Sequence, residues 1–173
     1  MALTPEQNTA WRSLVLLTHV LESALDAQSQ RDGGLPHAYY KLIVLLYETP
    51  GHRMTMSELA AQQRYSTSRL THAVSSMEAS GWLRRVASSR DRRVRYVELT
   101  DEGAALVRAI TPKQVDEVRA KAFARLEPEQ VAQLHEIALA IVEGLDAESP
   151  AGGSPPDPVA LGSVPSTPSP DLP

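Results

Sequence analysis

The chain has 173 residues, of which 42% are hydrophobic and only 5% aromatic, with a formal net charge of −4. That length allows one domain, or one domain with an appendage, and a core of Leu, Val, Ala and Ile favours helices over a β-sandwich. There is no cysteine, which excludes thiolate zinc sites, iron–sulfur clusters, disulfides and thiol redox sensing.

The start of the chain has no basic segment followed by an apolar stretch, so it does not read as a signal peptide. Apolar runs such as 14–17 and 42–47 are far too short to cross a bilayer, so a soluble, cytoplasmic protein is expected. Thr4-Pro5-Glu6-Gln7 combines an N-cap, a proline at the first helical position and a Gln closing a capping box. A helix should follow to about Gln30, with Leu14, Leu17, Leu21 and Leu25 on one stripe, ended by Arg31-Asp32-Gly33-Gly34. A second helix starts near Leu35-Pro36, carries Tyr39, Leu42, Ile43 and Leu46, and stops at Pro50-Gly51.

Thr55-Met56-Ser57-Glu58 is another capping box, opening a short helix to about Gln63. A further helix occupies roughly 67–80 and is closed by Gly81. Trp82-Leu83-Arg84-Arg85-Val86 and Val94-Arg95-Tyr96-Val97-Glu98-Leu99 are β-capable runs around a charged tip, predicting a projecting hairpin. Thr100-Asp101-Glu102 caps a long helix whose Pro112 should break or kink it. Glu127-Pro128-Glu129 starts a last helix, with Val131, Leu134, Ala138, Ile141 and Leu145 on one stripe. Eight of the 13 prolines fall in 150–173 among Ser, Gly, Thr and Asp. Such a segment buries too little apolar surface to offset its ordering entropy, so 149–173 reads as a disordered Pro/Ser-rich tail.

The charge is unevenly placed. Between positions 53 and 95 stand nine arginines, no lysine and three acids (Glu58, Glu78, Asp91), a balance of +6 that leaves −10 for the rest. A basic segment in an acidic chain suits a localised phosphate-binding surface. A merely solvated charged face has the same composition, so the motifs decide.

The order helix, turn, helix, hairpin lies within that basic segment. Met56, Leu59 and Ala60 give the first short helix an inner face, and Leu70, Val74 and Met77 give one to the second. Two short helices joined this way present the second outward. Its outward positions are Thr67, Ser68, Arg69, Thr71, His72, Ser75 and Ser76, with no acid before Glu78. A solvent-facing helix usually carries Glu and Lys pairs. One that enters a major groove needs small hydrogen-bonding side chains and an Arg for guanine edges or phosphate. The hairpin adds Arg84, Arg85, Arg90, Arg92, Arg93 and Arg95, with Asp91 placed to orient an arginine. Arginines at such a tip suit a narrow minor groove, where negative potential is greatest.

These residues resemble the MarR (multiple antibiotic resistance regulator) family. The resemblance covers about residues 9–145 and rests on Met56-Ser57-Glu58-Leu59-Ala60, Ser68-Arg69-Leu70-Thr71-His72, Met77-Glu78-x-x-Gly81-Trp82-Leu83-x-Arg85, Asp91-Arg92-Arg93 and Leu99-Thr100-x-x-Gly103. It implies a mainly α fold with a small β-hairpin wing, a winged helix-turn-helix flanked by N- and C-terminal dimerisation helices. The domain would span 1–148, with a DNA-binding module at about 52–100 and dimerisation helices at about 5–31 and 101–147. By resemblance, Ser66 to Ser76 form the recognition helix and Arg90, Asp91, Arg92 and Arg93 the wing tip, Arg93 entering the minor groove and Asp91 holding it. The implied partners are double-stranded DNA carrying a palindromic operator and a second copy of the chain, with no membrane and no cofactor or metal.

Some members bind aromatic carboxylates between the dimer helices and the DNA-binding module, and Trp11-Arg12 resembles an arrangement seen in them. An Arg clamps a carboxylate bidentately, so Arg12 with an aromatic wall of Trp11, His19, His37, Tyr39 and Tyr40 is the candidate effector site. Each of these residues also reads as dimer core, surface ion pair or satisfied polar group. The expectation is a DNA-binding regulator, a repressor released by a small aromatic or phenolic ligand. Two other classes compete with this reading. The five histidines (19, 37, 52, 72, 135) show no catalytic or metal spacing, and nothing fixes the geometry of His19, His37 and Glu22 as a catalytic or metal cluster. A winged helix used as a protein-interaction module, without small-molecule sensing, would lack so basic a wing.

Overall fold

Capping sets where the helices begin. In the computed structural model, which describes residues 2–88 and 94–147, Thr4 Oγ1 accepts from the Gln7 amide at 3.2 Å and Gln7 Oε1 accepts from the Thr4 amide at 3.0 Å. Helix α1 (Pro5–Gly33) follows and ends on Gly34, whose φ of 67° is left-handed. Helix α2 (His37–Glu48) has no side-chain cap of its own. Instead Asp26 of α1 accepts the His37 amide at 2.8 Å, satisfying an orphan donor across the joint. A 3-10 turn (Pro50–His52) leads into strand β1 (Arg53–Thr55) and helix α3 (Met56–Gln63). Here Thr55 and Glu58 form the second reciprocal box, and the Thr55 amide and hydroxyl hold the Glu58 carboxyl below the usual carboxylate range.

Helix α4 (Thr67–Ala79) is followed by strands β2 (Leu83–Ala87) and β3 (Arg95–Leu99), then α5 (Asp101–Val118), a π-helical turn (Arg119–Phe123) and α6 (Pro128–Ala147). The hairpin tip 89–93 and the segment 148–173 lie outside the described residues. With them lie Arg90, Asp91, Arg92 and Arg93 and the expected tail.

The sheet has three antiparallel strands in the order β1-β3-β2, not the two of a simple hairpin. The additional strand pairs Arg53 with Glu98, Met54 with Val97 and Thr55 with Tyr96. The sequence contains no local sign of it, because three residues after a Pro-Gly turn cannot show alternation. Met54 and Val97 are buried in the shared core beneath α2, α3 and α4, with Leu42, Ile43, Leu46, Leu59, Leu70, Val74, Met77 and Leu83.

Of the break or kink expected at Pro112, the break does not occur; α5 runs through it. Proline removes the bond to the carbonyl of Arg108, but Pro112 and Arg108 are both exposed, so water meets that carbonyl. The opposite face stays bonded and packed, with Thr111 Oγ1 donating to Val107 O at 2.8 Å. Much apolar surface at the two chain ends is uncovered, although Leu14, Leu21 and Leu25 of the expected α1 stripe are half-buried. Trp11, Val15, Leu16, Leu17 and Val20 of α1 and Val131, Leu134, Ile137, Ile141 and Leu145 of α6 are exposed, Ile137 by 59%.

Candidate nucleic-acid interface

Helix α4 is positioned from both ends. At its start Arg64 adopts a left-handed conformation (φ 51°) that ends α3, the Tyr65 amide donates back to Ala60 O at 3.0 Å, and Ser66 Oγ caps the Arg69 amide at 3.3 Å. Leu70, Val74 and Met77 are wholly buried, which fixes the roll of the helix about its axis. That roll exposes Thr67, Ser68, Arg69, Thr71, His72, Ser75 and Ser76, the outward positions expected from the sequence, and Ser66 before them is exposed as well. None of the eight is acidic.

At the C-terminal end, Arg85 of β2 ties the helix to the wing. Its guanidinium pairs with Glu78, donates to Ser75 Oγ at 2.9 Å and to Thr71 O at 3.3 Å, while its amide donates to Glu78 Oε1 at 3.0 Å. Arg84 is likewise engaged, pairing with Glu98 on β3 at 2.6 Å. Glu98 holds that guanidinium still more firmly protonated. Two of the six hairpin arginines therefore have their charge neutralised within the fold. Arg95 is exposed and, among the described residues, makes no ion pair. It borders a cleft of about 490 Å³ with Thr55, Ser57, Thr67 and Val94, at the N-terminal ends of α3 and α4. Hydroxyls, helix N-termini and an unpaired guanidinium are the groups that hold backbone phosphates.

Tyr65, which sequence reasoning passed over as part of a polar turn, lies under Arg69. The Arg69 guanidinium carbon is 4.3 Å from its ring centre. Behind this pair a cavity of about 390 Å³ separates α4 from the start of α2, lined by Tyr39, Tyr65, Ser68, Arg69 and His72. A Tyr four residues before an Arg was the only available signal, and in a turn that spacing does not by itself imply contact.

The proposed effector residues are distributed differently. Trp11, Arg12 and His19 stand on the exposed half of α1. His37 and Tyr40 are buried in the α1–α2 joint, their rings stacked 5.9 Å apart, with His37 Nδ1 3.3 Å from Ser29 Oγ. None of these five lines either of the two cavities described above, whereas Tyr39 does line the one beside α4. Burial and the nearby Lys41 ammonium push the His37 ring below the usual histidine range, against the weaker pull of Glu22 and Asp26. Among the described residues no three His, Asp or Glu side chains are grouped to hold a metal, and no helix is long and apolar enough to cross a membrane.

The module seen here matches a known pattern. Residues 33–94 match the MarR family model. The structure superposes on that of Sco3205 of Streptomyces coelicolor, a MarR family transcriptional regulator in complex with DNA, with a TM-score of 0.83 and 44% identity over 90% of this chain and 98% of that one. The chain is 26% identical to the HTH-type transcriptional regulator PrsX of Escherichia coli over 47% of its length, and 25% identical to the HTH-type transcriptional repressor YetL of Bacillus subtilis over 60%. These matches span 49% and 59% of those two relatives, roughly half of each. On the 44% identity with Sco3205, and on the match of residues 33–94, the chain belongs to the MarR family of winged helix transcriptional regulators.

Proposed function

We propose that this protein is a homodimeric transcriptional regulator, not a catalyst, that reads a palindromic operator through α4 and the wing and represses until a small aromatic acid releases it. The observation that carries the DNA-reading part is the acid-free polar face of α4, exposed from Ser66 to Ser76 beside the cleft at Arg95, to which Thr55, Ser57 and Thr67 contribute hydroxyl side chains. Arg69 would meet base edges, and the hydroxyls would meet phosphates. The wing tip Arg90, Asp91, Arg92 and Arg93 would extend the contact into the minor groove, as in the resemblance that suggested it. Sco3205 was crystallised with DNA, and YetL is named a repressor; both support carrying these roles over.

Dimerisation is supported by the uncovered stripes on α1 and α6. Helices with so much apolar surface are marginal alone in water and need a partner face. Ligand release is supported by the cavity beside α4, where Tyr39 and Tyr65 supply aromatic walls and Arg69 a carboxylate partner. A ligand taking Arg69 would withdraw it from DNA. Trp11, Arg12 and His19 would reach such a ligand only through a partner's α1.

The test is capture of genomic DNA fragments by the purified protein, followed by sequencing. A twofold-symmetric consensus with half-site centres about one helical turn apart is expected, and capture without sequence preference refutes specific reading. Light scattering at micromolar concentration should report the mass of two chains; a single-chain mass refutes the dimer. A panel of aromatic acids should include at least one that lowers operator affinity of the parent but not of Arg12→Ala or Tyr39→Ala.

A further inference from the structure

We infer that Tyr65 is the positioning residue for Arg69, an aromatic shelf that holds the guanidinium flat so that its in-plane donors face the DNA. The inference rests on the reading of Arg69 as a base-contacting residue and adds what sets its posture. Arg69 is exposed and, among the described residues, has no carboxylate partner, unlike Arg84 with Glu98 and Arg85 with Glu78. Its interaction is with the Tyr65 ring, 4.3 Å from ring centre to guanidinium carbon. The distinction matters chemically. A carboxylate takes two of the in-plane N–H groups and cancels the charge, whereas an aromatic face takes only the π surface. All five in-plane donors and the full positive charge remain for a base edge or phosphate.

The shelf itself is rigid. The Tyr65 ring is half-buried against the core, its amide is bonded to Ala60 at the end of α3, and the next residue caps α4. An exposed Arg loses considerable rotamer freedom when it engages a base. Stacking in the free protein removes part of that freedom beforehand, so the gain appears in specific binding.

The experiment measures binding isotherms on the cognate duplex, on duplexes varied at each half-site position, and on random DNA. The variants are Tyr65→Phe, Tyr65→Leu, Arg69→Ala and Tyr65→Leu with Arg69→Ala. Tyr65→Leu should weaken cognate binding about three- to tenfold and relax preference at the position that Arg69→Ala relaxes, with random DNA little changed. Tyr65→Phe should bind as the parent does. In the Arg69→Ala background, Tyr65→Leu should have no further effect. Because Tyr65→Leu also loosens the turn, a second series replaces Tyr65 by phenylalanines of increasing fluorine content. These keep the shape while draining the negative face of the ring, and cognate affinity should fall with each fluorine. Equal losses on cognate and random DNA, an undiminished loss in the Arg69→Ala background, or no trend with fluorination each overturn the shelf. If Arg69→Ala leaves base preference unchanged, the base-reading role falls first and the shelf with it.

Discussion

The hydroxyl of Tyr40 and the hydroxyl of Thr111 lie 3.1 Å apart, both buried, joining α2 to the middle of α5 across 71 residues of chain. Thr111 already donates to Val107 O, so Tyr40 is the donor and Thr111 the acceptor in this bond. Removing the donor leaves Thr111 satisfied, while removing the acceptor strands a buried phenol. Tyr40→Phe should therefore cost about 1 kcal/mol and Thr111→Val about 1–3 kcal/mol. Urea unfolding at one fixed chain concentration gives the order, and an equal or reversed order would contradict this assignment of donor and acceptor.

His37 makes stability depend on pH. Burial, reinforced by Lys41, holds its ring below the ordinary histidine value near 6.5, with Glu22 and Asp26 opposing. The unfolded chain then binds a proton more readily than the folded one. The contribution of neutral His37 is fully present above about pH 6.5 and is lost as pH falls below it toward the folded-state value. In His37→Gln, the fall in melting temperature between pH 7.5 and 5.5 should be shallower than in the parent. A parallel fall in both would assign the dependence to other groups.

Gly103 occupies the third position of α5, where its α-carbon passes against the wing root. A Cβ there would collide with the Trp82 carbonyl oxygen and come within 2.7 Å of Leu99 Cδ1. That carbonyl also accepts the Thr100 amide at 3.0 Å and cannot withdraw without losing the bond. Gly103→Ala should destabilise by about 1–3 kcal/mol despite being a favourable helix substitution elsewhere. Thermal melts check this, and a stabilised variant would show that the wing root yields.

The hairpin arginines should separate by function. Arg93→Ala should weaken specific and random DNA alike and flatten the salt slope by about one unit, as expected for one lost phosphate-type contact. Arg84→Ala should change both binding and stability little, since the Arg84 side of its pair with Glu98 is solvent-exposed. Arg85→Ala should instead lower stability, by roughly 1 kcal/mol, because Glu78 loses its ion pair, keeping only the backbone amide, and Ser75 loses its side-chain bond. Salt titrations and melts on the three variants distinguish these outcomes. An Arg84→Ala effect as large as that of Arg93→Ala would return Arg84 to the DNA-contacting set.

What the amino-acid order determined by itself was local. The Thr4–Gln7 and Thr55–Glu58 boxes, the Thr100 cap and the left-handed Gly34 and Gly81 depend on side chains within a few residues of the backbone groups they serve. The 3-4 spacing of Leu70, Val74 and Met77 likewise decided which face of α4 is exposed, since burying three apolar residues fixes the opposite surface. Tertiary structure decided whatever depends on residues distant in the chain. Strand β1 exists because β3 offers it a partner, not because three residues prefer to be extended. Pro112 is tolerated because it falls on the solvent side of a helix whose other face is packed. Nine arginines in one window look equivalent as a sequence, yet Glu98 and Glu78 neutralise two of them and Tyr65 leaves Arg69 charged. The sum of charges is a property of composition, but which charge remains available to a ligand depends on the position of its nearest neighbour in space.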